Sequence, residues 1–277
     1  DLPQNLAQDM DLVVIPLSVQ LGDERFYNLP GAGPDTHTFY QRLFDGESVQ
    51  TSAPNVGEFK DYFRPVLEAG KDLLYIGFTS ALSATYQNST IAAEELREEF
   101  PEATMLTVDS LCASLGQGLF VYHVCKKRDE GLELEELAAW AEDHKLNLCH
   151  WFTVDDLMYL KRGGRVSAAT AIVGTMLGIK PVLHMDDEGH LINVGKVRGR
   201  KASIEALAEK VGQLGLPGQN QTVFICHGDC LEDAQRLEAI LKEKYGVEEA
   251  FIGYTGAVIG SHSGPGTLAL FFLGEKR

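Results

Sequence analysis

Between residues 59 and 154 short apolar runs alternate with longer amphipathic stretches, and this alternation limits the chain to a small set of architectures. Leu73 to Phe78, Thr104 to Val108 and His150 to Val154 have the length and branching of buried strands. Phe59, Tyr62, Phe63, Val66 and Leu67 recur at helical spacing, with Asn55 and Glu58 placed as a reciprocal cap ahead of them. Ala84 to Phe100, Ala113 to Arg128 (closed by Gly131) and Glu133 to Lys145 read as further helices. Strands separated by single helices are joined by crossovers, so they pair in parallel and their helices cover the sheet. Ahead of this region, Leu12 to Val19 reads as a strand. The turn Gly22-Asp23-Glu24 would join it to Phe26-Tyr27 as a hairpin.

The pattern changes at Asp155, where a basic, glycine-rich stretch ending Lys161-Arg162-Gly163-Gly164-Arg165 leads into the small-residue segment 166–178. Beyond it, Pro181 to Met185 and Leu191 to Lys196 read as a hairpin around Asp186-Asp187-Glu188-Gly189. A helix is expected over 200–214, then strand Thr222 to His227, helix Leu231 to Tyr245 and strands Phe251 to Tyr254 and Thr267 to Leu273. A single core stops growing near about 250–300 residues, and this chain has 277. The expectation is therefore an α/β protein of two α/β lobes, residues 1–154 and 155–277, the first with a mainly parallel sheet flanked by helices.

Composition removes several functions. A formal charge of −16, with no basic run longer than Lys126-Lys127-Arg128, opposes binding to nucleic acid or anionic lipid. No apolar run reaches the roughly 18 residues of a membrane span. Five scattered cysteines suit reduced thiols in a cytoplasmic protein better than a disulfide framework, and Cys226-His227-Gly228-Asp229-Cys230 has no second pair to complete a metal site, so no metal and no cofactor are expected. There is no Walker or dinucleotide glycine motif. In Gly260-Ser261-His262-Ser263-Gly264 a histidine stands where a nucleophile-elbow serine would be.

Ligands of open α/β sheets bind beyond the carboxyl ends of strands, and hydroxyls gather there in this sequence. Thr51 and Ser52 precede the capped helix. Ser80 and Ser83 stand between a strand end and a helix start, where such residues otherwise serve as caps. Two such clusters beside helix N-termini would make an anion pocket of neutral donors rather than an arginine clamp. The segment Gly260 to Gly266 reads as a tight loop whose glycines let His262 approach something closely. Gly163 and Gly164 in the basic stretch either cradle a phosphate or belong to a surface loop.

Taken together, Thr51-Ser52-Ala53-Pro54, Ser80 to Gln87, Val154 to Ser167, Gly178 to Leu183 and Ile259 to Gly266 resemble, in order and over essentially the whole chain, the signatures of the DegV family of bacterial fatty-acid-binding proteins. Some members act as the binding subunit of fatty acid kinase. This sequence has Ala53 where the family commonly has Gln, and Ala84 where it has Gly. Asp1-Leu2-Pro3 resembles the turn after the family's first strand, which implies an opening strand not contained in this sequence.

The resemblance implies that Thr51 and Ser83 hydrogen-bond the carboxylate of a long-chain acid such as palmitate, stearate or oleate at the lobe interface. His262 would stand beside them, and Ser52, Ser80, Gly163 and Gly164 would extend the pocket. Burying about fifteen methylenes at ~0.8 kcal/mol each gives on the order of 12 kcal/mol before association costs, against ~1.5–3 for each bond to the carboxylate. The tail then sets affinity and the head group sets orientation. The implied role is a carrier and not an enzyme, presenting the acid or its acyl phosphate to the catalytic subunit of the kinase, with Arg198 and Arg200 as candidate docking residues. The competing expectation is a hydrolase or phosphotransfer enzyme using His262 and the Arg162 to Arg165 loop on a small acyl or phosphorylated substrate.

Overall fold

Local sequence sets most elements, and long-range pairing then arranges the described strands into three sheets. The computed structural model describes residues 1–167, 178–219 and 222–277. The chain opens with helix α1 (Gln4–Asp9), a hairpin of β1 (Ser18–Leu21) and β2 (Glu24–Tyr27), and helix α2 (Thr36–Phe44), whose first turn is capped by Asp35. Strand β3 (Val49–Ser52) follows, then α3 (Val56–Glu68) behind the reciprocal cap of Asn55 and Glu58. Next come β4 (Leu73–Gly77), α4 (Thr85–Glu99), β5 (Met105–Asp109), α5 (Ser114–Asp129), α6 (Leu134–His144) and β6 (Leu148–Thr153).

A short helix α7 (Met158–Arg162) precedes the hairpin β7 (Ile179–Met185) and β8 (Leu191–Arg198). Helix α8 (Arg200–Leu214), β9 (Thr222–His227), α9 (Leu231–Tyr245), β10 (Glu249–Tyr254), α10 (Ala257–Ser263) and β11 (Leu268–Leu273) complete the described chain.

Parallel pairing is present where one helix links two strands, in β4–β5 and β9–β10. Elsewhere the pairing is antiparallel. β1 to β3 form a three-stranded antiparallel sheet in the order β2-β1-β3. β6 does not join β4 and β5; it lies inside a six-stranded sheet, β10-β9-β11-β6-β7-β8, antiparallel to both β11 and β7. The α/β class therefore holds with mixed sheets, and sheet membership does not change at residue 154. β6 is buried at every position, as expected for a strand covered on both faces.

One face of the six-stranded sheet packs on α8 and α9 through Trp151, Ile225, Leu270, Leu207 and Leu237. The other receives α5, with Leu115 and Leu119 against Phe224 and Phe271. A third core lies between α3, α4 and the β4–β5 pair, and a fourth joins α2 and α10 to the β1–β3 sheet.

The segment around residue 260, expected as a loop, is helix α10. Its two serines bond back to the helix, Ser261 to the carbonyl of Ala257 and Ser263 to that of Ile259. Gly260 leaves no room for a side chain beside the Tyr40 ring. Tertiary packing thus offsets the poor helix propensity of glycine. The expected strand at 12–19 is also shorter, since strand structure begins only at Ser18.

Candidate functional site

Thr51 is the third residue of β3, where alternation turns its side chain inward and leaves Ser52 exposed. His262 stands on α10, 211 residues further along, and its Nε2 shares a 2.7 Å hydrogen bond with Thr51 Oγ1. Gly163, just after α7, makes this approach possible: a β-carbon there would run into Nδ1 of His262. Burial, and secondly the positive charge of Arg165, lower the His262 pKa to about 4, so the ring is neutral at physiological pH. The Arg165 guanidinium donates to the carbonyl of Gly163. Burial moves its pKa below the usual arginine value.

Ser83 contributes from the turn before α4. Its Oγ lies 2.8 Å from Thr85 Oγ1 and accepts a 3.3 Å hydrogen bond from the Thr85 amide. The hydroxyls therefore sit at the N-terminal end of a 15-residue helix, where free amides and the helix dipole favour negative charge.

Thr51, Ser83, Thr85, Arg165 and His262 all line one cavity of about 610 Å³. The remaining wall is predominantly apolar and includes Ile76, Leu82, Phe152, Val258, Ile259 and Phe271. A volume of this size lies within the ~300–1,000 Å³ of small-molecule sites. Hydroxyl donors, a neutral imidazole and a guanidinium on the wall of an apolar volume suit an amphiphile with an anionic end. Among the described residues no group of three or more His, Cys, Asp or Glu is arranged to hold a metal, and no helix is long and apolar enough to cross a membrane.

The model of the DegV family, described as one of uncharacterised proteins, matches residues 1–275. A DegV domain-containing protein of Clostridium perfringens is 41% identical over 277 residues, covering 100% of this chain and 95% of its own. The chain belongs to the DegV family. A solved DegV family protein from Thermus thermophilus, described by its fatty acid binding, matches with a TM-score of 0.87 and 30% identity, over 99% of this chain and 96% of that one. The B3 protein of Streptococcus pneumoniae fatty acid kinase, loaded with linoleic acid, matches with a TM-score of 0.83 over 95% of this chain and 91% of that one. At 20% identity this second likeness carries the fold alone.

In this DegV chain the structure brings Thr51, Ser83 and His262 to one cavity, with Gly163 against the histidine. Ser52 and Ser80 are exposed, and the Ser80 amide donates to the Asp109 carboxylate. Gly164 turns the chain at a φ of 72° with open space around it. Arg198 is exposed, whereas Arg200 is engaged by Asp233 at 2.8 Å and Asp155 at 3.5 Å. Thr85 lies within the hydroxyl segment without being assigned to the site, and Arg165 enters only with the competing enzymatic expectation; its place in the cavity means that the donor set is not purely neutral. The Lys161 to Arg165 stretch signals a cation, but only the cavity wall shows that Arg165 is the one facing the site.

Proposed function

We propose that this protein binds a long-chain fatty acid, with the carboxylate held near Thr51, Ser83 and His262 and the acyl chain in the apolar cavity. The observation that carries the reading is the joining of the Thr51–His262 pair and Arg165 to a 610 Å³ apolar volume. The fatty acid binding of the Thermus thermophilus relative supports it. Acting in the cytoplasm, where its five free thiols would stay reduced, the chain presents the acid to a separate fatty acid kinase, as the family resemblance implies. Its own side chains bind and orient. The kinase moves the terminal phosphoryl group of ATP onto a carboxylate oxygen, and ADP leaves.

The Thr51–His262 pair also admits an enzymatic reading, with the hydroxyl as nucleophile and the imidazole as base. A base with a pKa of about 4 is weak at neutral pH, and among the described residues no carboxylate hydrogen-bonds His262 to orient it. Carrier function is the better account.

Denaturing mass spectrometry of protein purified from cells should detect a co-purifying acid, and added palmitate should bind. The double variant Thr51→Val, Ser83→Ala should weaken that binding at least tenfold, given ~1.5–3 kcal/mol for each bond to a charged group. Acyl phosphate should appear only when the loaded protein is mixed with a kinase subunit and ATP. Undiminished affinity in the double variant would remove the proposed head-group site, and acyl phosphate made by the chain alone would remove the carrier role.

A further inference from the structure

Arg277 is only 9% exposed, and its guanidinium takes four partners from three separate segments. Nε donates to the carbonyl of Leu148 at 3.0 Å, and Nη1 donates to that of Asp186 at 2.9 Å. Nη2 reaches the carbonyl of Lys145 at 3.1 Å and the Cys112 sulfur at 3.3 Å. None of these partners is a carboxylate. A buried guanidinium held this way serves geometry more than charge pairing, because a planar fork of donors fixes several carbonyls at once.

Three of the four partners, Asp186, Cys112 and Leu148, lie close in sequence to residues of the cavity wall. Asp186 opens the β7–β8 turn, which is flanked by the lining residues Met185 and Leu191. Cys112 precedes the lining residue Ala113, whose amide donates to Nε2 of His150. His150 also lines the cavity, and its Nδ1 faces the same Leu148 carbonyl that Arg277 holds. The turn is tied a second time where Thr79 Oγ1 donates to the carbonyl of Gly189, and a β-carbon at Gly189 would strike that hydroxyl. One side chain therefore joins the β7–β8 turn, the start of β6 and the loop before α5.

We propose that Arg277 is a specificity-determining positioning residue, clasping this part of the cavity wall and so fixing the length of acyl chain the cavity accepts. The inference rests on the fatty-acid reading for its ligand. Arg277 touches none of the head-group residues, and its action passes through Met185, Leu191, Ala113 and His150.

The test uses the full chain, Arg277→Met, which keeps length and loses all donors, and Arg277→Lys, which keeps the charge without the fork. Affinities are measured for saturated acids of increasing length, from decanoate upward. In the parent protein affinity should climb several-fold per added pair of methylenes to an optimum and then fall. In Arg277→Met the fall beyond the optimum should flatten at least fivefold, with decanoate affinity within twofold of the parent, and Arg277→Lys should lie between. An unchanged optimum and an unchanged fall in a folded variant would overturn the proposal.

Hydrogen exchange of the ligand-free protein gives a second measurement that does not depend on any acid. Amides at 111–114 and 186–191 should exchange at least tenfold faster together in Arg277→Met, or in Arg277→Lys if the methionine variant does not fold, while those at 51–53 stay unchanged. Failure of the parent to bind any acid would defeat the function proposed above. Independent exchange of the two loops would defeat the clasp.

Discussion

His262 and His150 line the same cavity and are both held neutral by burial, each with a nearby arginine as the second cause, Arg165 for His262 and Arg277 for His150. Their partners separate them. His150 has both ring nitrogens on backbone groups, the Ala113 amide and the Leu148 carbonyl at 3.2 Å each, and its ring edge packs on Phe271. Nothing on that ring is left for a ligand, so it is wall. His262 is satisfied at Nε2 by the hydroxyl of Thr51, which an incoming carboxylate can take over without breaking secondary structure. A cavity histidine thus declares its role by whether its partners are fixed main chain or an exchangeable side chain.

The largest expected effect follows from the wall histidine. His150→Ala removes a fully buried ring and leaves the Ala113 amide without its acceptor, which should cost about 3 kcal/mol of unfolding free energy. Urea denaturation measures it, and a loss below about 1 kcal/mol would show that His150 is not the wall residue its contacts indicate.

At the other histidine the expected loss is in binding. Gly163 has an ordinary φ of −72°, so alanine fits its backbone and only the space beside His262 is wrong. Gly163→Ala should push α10 away from Thr51 and weaken fatty acid binding about tenfold, equivalent to ~1.4 kcal/mol. Gly164→Ala is the control. It strains a backbone at positive φ beside open space, so it should cost about 1 kcal/mol of stability without changing affinity. Equal binding losses in the two variants would erase the distinction.

These two regions also show what a sequence discloses. The cap of Asn55 and Glu58, helix α8 over 200–214 and helix α9 over 231–245 were legible because periodicity and capping are local. The meeting of Thr51, Ser83 and His262 at one cavity agrees with the ordered family segments, and Gly163, which lies against the histidine, belongs to one of them. The entry of β6 into the six-stranded sheet was not, since a strand's partners are chosen by contacts far along the chain. Helix α10 was misread because its glycines and serines argue locally for a turn, while Tyr40 and α7 supply the packing that makes it helical. The basic stretch signals a cation without showing that Arg165 is the one at the cavity, and Arg277 carries no local sign of its role, which three distant segments define.

The smallest effect is the most direct probe of the difference between the histidines. An unfolded histidine titrates near about 6.5, whereas folded His262 titrates at about 4 and folded His150 well below its usual value. Between those limits the unfolded chain binds protons that the native chain refuses, so stability is full above about pH 7 and falls as the pH drops toward 4. His123, also near 4, acts in the same direction. His262→Gln removes one of these contributions and should reduce the stability lost between pH 7 and pH 5.5 by about 1 kcal/mol, read from urea midpoints at the two values. A carboxylate bound beside His262 favours its protonated form, so saturating fatty acid should shrink the pH dependence of the parent protein and leave that of His262→Gln unchanged. Among the described residues His150 has main-chain partners and an aromatic ring at hydrogen-bonding and stacking distance, and its share of the slope should persist with ligand bound. A ligand effect of equal size in the two proteins would place the carboxylate away from His262 and end the assignment of separate roles.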